Sequence, residues 1–160
     1  MKKKIFSLLP LIFFIFIHGC GFKPSLTSSS HTFSLQVESK TGNERINSKI
    51  ENQIEIIKGI KRSFQVSLNS VETRNILSKD SKGDPAILEL KINLNYKLIE
   101  NGKILVNRTI TEKSTYNNIS DKFEFSKSEE ILRNNLVENF VADIINSASN
   151  LMQNQMINDN

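Results

Sequence analysis

A single cysteine, Cys20, among 160 residues excludes an internal disulfide. Histidine is nearly as scarce, with His18 and His31 alone, so zinc sites built on cysteine and histidine, and nucleophile pairs that need a histidine base, lack their parts. The six glycines are scattered, and no glycine-rich loop is present to cradle a phosphate. No basic stripe interleaved with aromatics points to a nucleic-acid partner. Acidic pairs do occur, Glu129 beside Glu130 and Asp80 near Asp84. They stand where the first turn of a helix and a polar loop call for acids anyway. The expectation is a chain that is not an enzyme and holds neither a cofactor nor a metal. No internal repeat is visible.

What is present begins with Met1-Lys2-Lys3-Lys4, followed by an uncharged apolar run over residues 5–17. As a helix that run would reach only about 20 Å, short of the hydrocarbon thickness of a bilayer. Residues 1–19 therefore read as a signal peptide. Ile17-His18-Gly19-Cys20 resembles the bacterial lipobox. That resemblance implies acylation of Cys20 on sulfur and, after cleavage before it, on the new amino group. Each buried methylene contributes about 0.8 kcal/mol, so three acyl chains make a lasting anchor. Gly21, where an aspartate would favour retention in the inner membrane, implies sorting to the outer membrane, on its periplasmic side. Cleavage removes three lysines from a formal charge of +4, leaving +1, so the basic character owes much to the targeting segment.

Residues 20–31, with the stretch GFKPSLTSSS, read as a lipidated N-terminus and tether. One domain is expected over residues 32–152. Phe33, Leu35 and Val37 alternate as in a half-buried strand over residues 32–38. Ile46, Ile50, Ile54 and Ile57 recur at helical spacing, with Asn43 as N-cap and Gly59 as stop, predicting a helix of about four turns. Phe64, Val66, Leu68 and Val71 predict a second strand, whose end the stretch VETRNIL blurs. Residues 78–85 are a loop by composition. Then Leu88, Leu90, Ile92, Leu94, Tyr96 and Leu98 alternate with polar residues. Asn101-Gly102 predicts a tight turn, and Ile104, Val106 and Ile110 carry the return strand to about Tyr116. Arg108 interrupts the apolar face of that strand, as a rim position, a bulge or a contact residue. Ser126 with Glu129 forms a capping-box pattern. Beyond it Ile131, Leu132, Leu136, Val137, Phe140, Val141, Ile144, Ile145, Ala148 and Leu151 make a wide helical stripe. Residues 153–160 read as a polar flexible tail.

One-faced strands and one-faced helices in the order β-α-β-β-β-α are satisfied by an α+β fold. The expected form is a two-layer sandwich, a mostly antiparallel four-stranded sheet with both helices on one face. The other face is then polar. Asn93, Asn95, Asn107, Thr109, Thr111 and Thr115 lie on it, with Lys91, Lys97 and Lys113 among them. Such a ribbon suits docking inside a polar partner or meeting an anionic amphiphile.

These features together resemble the LptE family of lipopolysaccharide-assembly lipoproteins, in an alphaproteobacterial-like form. The likeness rests on Cys20-Gly21-Phe22-Lys23-Pro24, on the element order, on the hairpin KINLNYKLIENGKILVNRTI, and on Thr115-Tyr116-Asn117 before the last helix. It covers essentially the whole chain after the signal. It implies a complex with the outer-membrane β-barrel LptD, assistance to that barrel's assembly, and delivery of lipopolysaccharide to the outer leaflet. Carried onto this sequence, lipopolysaccharide binding would fall to Arg108 and Lys97, with Lys91 and Lys113 behind them. The alternative is an accessory outer-membrane lipoprotein of another barrel-assembly or lipid-transport complex.

Overall fold

The structure, a computed structural model, describes residues 31–158, with side chains described as far as residue 154. The expected signal peptide, Cys20 and all but the last residue of the tether lie outside the described residues. Six elements follow in order: β1 (Phe33–Gly42), α1 (Glu44–Ile54), β2 (Arg62–Lys79), β3 (Pro85–Glu100), β4 (Lys103–Asn117) and α2 (Lys122–Asn158). The sheet order is β1-β2-β3-β4. β1 runs parallel to β2, and the other two pairings are antiparallel. The fold is the expected α+β sandwich with a mixed sheet. Its one parallel pairing follows from the helical crossover, which returns the chain to the end of the sheet where it started.

The alternation in the sequence becomes one buried face. Phe64, Val66 and Leu68 of β2 and Leu88 to Leu98 of β3, taken every second residue, are buried beneath the helices. α1 contributes Ile46, Ile50 and Ile54, and α2 contributes Leu136, Val137, Phe140, Val141, Ile144 and Ala148. Ile131, expected in the stripe of α2, is half exposed. The 3.6-residue period carries it past the edge of the sheet.

Local signals set several boundaries as expected. The Asn43 side chain caps α1 by accepting from Ile46 N at 3.1 Å. Asn101 and Gly102 adopt φ of 49° and 75°, the left-handed pair that a two-residue hairpin turn requires. Other boundaries moved. α1 ends at Ile54, and Ile57 joins the core from beyond the helix. There Ile57 O accepts from Leu35 N at 3.3 Å and Gly59 N donates to Phe33 O at 2.8 Å. α2 starts at Lys122. Its cap is Asp121, whose Oδ1 accepts from Phe123 N and Glu124 N at 2.9 and 3.1 Å. The capping-box pattern at Ser126 is inside the helix, because Glu129 is drawn to the sheet instead. The helix also continues to Asn158, through most of the segment read as a polar tail.

The largest departure is β2, which runs 18 residues through VETRNIL. Glu72 and Arg74 break the apolar alternation yet keep its phase, facing the helix side like Leu68 and Ser70 before them. Each finds an opposite charge on α2.

Candidate functional site

The two faces of the sheet carry different chemistry. On the helix side, Arg133 of α2 is 4% exposed. Its guanidinium forks onto Glu72 at 2.9 and 2.8 Å and reaches Glu130 at 2.8 Å. The hydrogen bonds it donates to Glu72 hold it more firmly protonated than an ordinary arginine, against the effect of burial. Glu129 accepts from Tyr116 Oη at 2.6 Å and from Arg74 Nε at 2.8 Å. Burial alone would raise the Glu129 carboxyl, but those two donors and nearby Arg133 hold it below the usual range. These charges clamp the long helix to the outer half of β2. They are paired among themselves and face the protein, so they serve the fold.

Arg108 belongs to this side. It pairs in register with Tyr96, with no bulge at that step, and its Nη1 lies 3.3 Å from Asp143 Oδ1 of α2. Tyr96 Oη is 2.7 Å from both Asp143 Oδ2 and Ser147 Oγ. Burial pushes the Tyr96 hydroxyl up to about 12. Arg108 is therefore a rim residue that covers a buried tyrosine, half exposed at the edge strand.

The opposite face is open, and hydroxyls and amides tile it. In-register rows run across three strands: Asn69, Asn95 and Thr109, then Val71, Asn93 and Thr111, then Thr73, Lys91 and Lys113, then Asn75, Glu89 and Thr115. Asn95 Nδ2 donates to Thr109 Oγ1 at 2.9 Å, and Thr111 Oγ1 donates to Asn93 Oδ1 at 2.7 Å. Ser39 Oγ and Ser67 Oγ are bonded at 2.7 Å where β1 extends the face. Lys91 and Lys113 sit directly opposite each other. Lys113 leans toward Glu89 at 3.8 Å. Lys97 lies further along β3, opposite Asn107.

Three of the four expected cations thus share the open face, and Arg108 stands behind it. The apolar alternation of β2 stops near Val71 while the strand itself runs on to Lys79, which hides the contribution of β2 from the sequence pattern. Its polar positions, Ser67, Asn69, Thr73 and Asn75, keep strict phase and would have revealed it. Among the described residues, no group of three or more acidic, histidine or cysteine side chains is placed to hold a metal.

An open polar face on a two-helix, four-stranded sandwich can be compared with known proteins. The chain matches no protein-family model and no curated sequence relative. Its fold is similar to that of several solved lipoproteins. Rare lipoprotein B from Shewanella oneidensis aligns over 79% of this chain and 99% of its own, at 16% identity and a TM-score of 0.58. Lipoprotein B from Nitrosomonas europaea aligns over 83% of this chain and 93% of its own, at 18% identity and a TM-score of 0.57. A minor lipoprotein from Acinetobacter baumannii aligns over 71% and 87%, at 12% identity and a TM-score of 0.50. At such identities the likeness is one of fold.

Proposed function

We propose that this chain is an outer-membrane lipoprotein of the LptE type. In this reading it is acylated at Cys20 and held on the periplasmic side, and it forms a complex with the β-barrel LptD. It then assists that barrel's assembly and the insertion of lipopolysaccharide into the outer leaflet, with no bond-breaking step and no cofactor. The observation that carries the reading is the open face, a ladder of amides and hydroxyls some three strands wide, with Lys91, Lys97, Lys113 and Glu89 as charged positions among them. Amides and hydroxyls both donate and accept, so the uncharged rows of such a face can meet the polar interior of a barrel with their hydrogen bonds satisfied. The likeness in fold to solved lipoproteins supports the anchor.

Lipopolysaccharide would be met by Lys91 and Lys113. Two like charges directly opposite on a sheet repel, and a phosphate between them relieves that repulsion. Lys97 extends the same surface, and Arg108 is reached only from the rim.

The deciding experiment is photocrosslinking in intact cells from Asn95 and Thr111, followed by mass identification of what is caught. An outer-membrane barrel of the LptD kind is the expected product. A complex with a different barrel-insertion or lipid-transport component, or purification from detergent-solubilised membranes with no barrel attached, would overturn the reading.

A further inference from the structure

The two edges of the sheet differ. β1 is the shorter, with 10 residues, and its register with β2 shifts between Val37 and Ser39. The link after α1 covers its outer side: Lys58 bridges Ser34, Leu35 N donates to Ile57 O, and Gly59 N donates to Phe33 O. β4, at the other edge, is left open. Among the described residues no backbone bond from another element reaches its outer side. Leu105 has no partner in the register with β3, but from Val106 to Asn117 the register is unbroken. That run holds no proline and is rich in valine, isoleucine and threonine. A regular open edge of this kind is a template for another strand.

Charge selects the strand. Arg108 and Glu112 lie opposite the buried Tyr96 and Ile92, so both face the helix side of β4. Inward-facing charges on an edge bar an apolar strand from pairing there. They admit a strand that presents the opposite charge at each position. β4 is itself such a strand. When two copies run antiparallel about a two-fold axis at Ile110, Arg108 of each lies opposite Glu112 of the other. Around that axis Val106 meets Ser114, Asn107 meets Lys113 and Thr109 meets Thr111, with no like charges opposed.

Other centres fail. Residues directly opposed on a sheet share a face, so the axis must pass through a residue. An axis at Arg108, Glu112 or Lys113 opposes like charges, and one at Thr109 or Thr111 opposes no charges of opposite sign. Ile110 is thus the centre that the charges of the strand select. Within one chain the Glu112 carboxylate accepts from Asn139 Nδ2 at 3.0 Å and meets no cation among the described residues. The Arg108 side chain is half exposed beside Asp143. Both charges therefore stand at the rim, where a second strand would meet them.

We propose that the chain on its own pairs with a second copy through residues 106–114 of β4, making one continuous sheet of eight strands, four from each copy. The inference goes beyond the function proposed above and does not depend on it. The axis is perpendicular to the sheet, so both open faces look the same way and stay uncovered. The two chain starts then lie at opposite ends of the shared sheet. A barrel that receives the domain from one side therefore receives a single chain, and the paired form is that of the chain without its barrel.

The test uses the full mature chain, purified in detergent with no barrel present. Chains carrying Thr109→Cys are mixed with chains carrying Thr111→Cys and oxidised mildly, and the disulfides are mapped by peptide mass spectrometry. Both positions are exposed. The expected product joins position 109 to position 111, several-fold more than the out-of-register mixture of Asn107→Cys with Thr109→Cys gives. Charge supplies a second arm. Arg108→Glu alone and Glu112→Arg alone each oppose like charges, and each is expected to associate about tenfold more weakly than the parent in sedimentation. Their mixture opposes unlike charges at both positions and is expected to pair again. A parent that sediments as a single chain, or that joins 107 to 109 as readily as 109 to 111, overturns the inference. So does a mixture of the charge variants that stays single while each keeps the circular dichroism of the parent; if either loses it, the cysteine arm decides. Capture of these thiols in intact cells by a different protein, with the purified chain single, gives the edge to that partner and also overturns the inference. Pairing with no barrel captured in cells leaves it standing and overturns the barrel reading alone.

Discussion

Arg133 of α2 and Glu72 of β2 meet as a two-bonded fork, Nε to Oε2 at 2.9 Å and Nη2 to Oε1 at 2.8 Å, in a place where Arg133 is almost wholly buried. The pair joins the long helix to the outer half of β2, where Glu72 lies in register with the buried Ile92 of β3. Because Glu129 and Glu130 also lie against the same guanidinium, the cation is shared by three carboxylates.

Removing the shared cation is accordingly worse than removing one acid. Arg133→Met is expected to cost about 3 kcal/mol, the lower end for breaking a buried pair, and Glu72→Gln less, since two carboxylates still face the arginine. Urea unfolding of the two variants checks the order. Equal midpoints would show that Glu72 alone matters to Arg133.

Acid should loosen this clamp and the Arg62–Glu100 pair at the other end of the sheet. Glu129 and Glu100 are held below the ordinary value of 4.5 by their hydrogen bonds to Tyr116, Arg74 and Arg62. A carboxyl whose folded pKa is depressed stabilises the fold above its unfolded pKa, and that contribution is lost as pH falls through the folded value. Unfolding free energy is expected to be level above about pH 5.5 and to fall below about pH 4.5. Glu129→Gln should decline less steeply over that range, measured by denaturant titration at each pH.

Alkali acts through the tyrosines. Burial pushes Tyr96 and Tyr116 from 10 up to about 12. A raised folded pKa means stabilisation fully present below pH 10 and lost as pH climbs toward 12. The sequence holds just these two tyrosines, so phenolate absorbance reports them without background. Little phenolate is expected at pH 10.5, and the rise should coincide with unfolding. A normal titration at pH 10 in the folded protein would contradict the burial of both hydroxyls.

Two glycines with positive φ separate conformation from crowding. Gly42 has φ of 83°, and a Cβ there would lie 2.0 Å from the Ser70 carbonyl oxygen, whereas Gly83 has φ of 89° and open space around it. Gly83→Ala is expected to cost about 1 kcal/mol, the backbone term alone. Gly42→Ala should cost at least about 2 kcal/mol more, since strand backbone must shift to admit the methyl. Thermal unfolding of the pair measures the difference.

On the open face, Asn107→Asp and Thr109→Glu place charge where a polar docking partner would have to desolvate it. Unfolding midpoints are expected to stay close to that of the parent because the positions are exposed, while recovery of the crosslinked barrel falls sharply. Unchanged crosslinking with both substitutions present would move the contact off this face.

Period and turn chemistry were readable directly. The alternation from Leu88 to Leu98, the Asn-Gly turn and the Asn43 cap each depend on neighbours within a few residues, and each formed where expected. The polar ladder on β3 and β4 was legible for the same reason, since every second residue must leave the core. The outer half of β2 was not, because Glu72 and Arg74 look like solvent-facing residues until their partners are known.

Local sequence thus determined which residues form strands and helices and which face each one turns inward, since φ/ψ preference and side-chain period act over short distances. Only tertiary structure decided which element lies against which. It set the parallel seat of β1 beside β2, the turn of α2 that covers Glu72 and Arg74, and the placement of Arg108 beside Asp143, away from Lys91 and Lys113. Those outcomes depend on contacts between residues tens of positions apart. A charge becomes a buried partner or an exposed one only once the opposite charge has been folded against it.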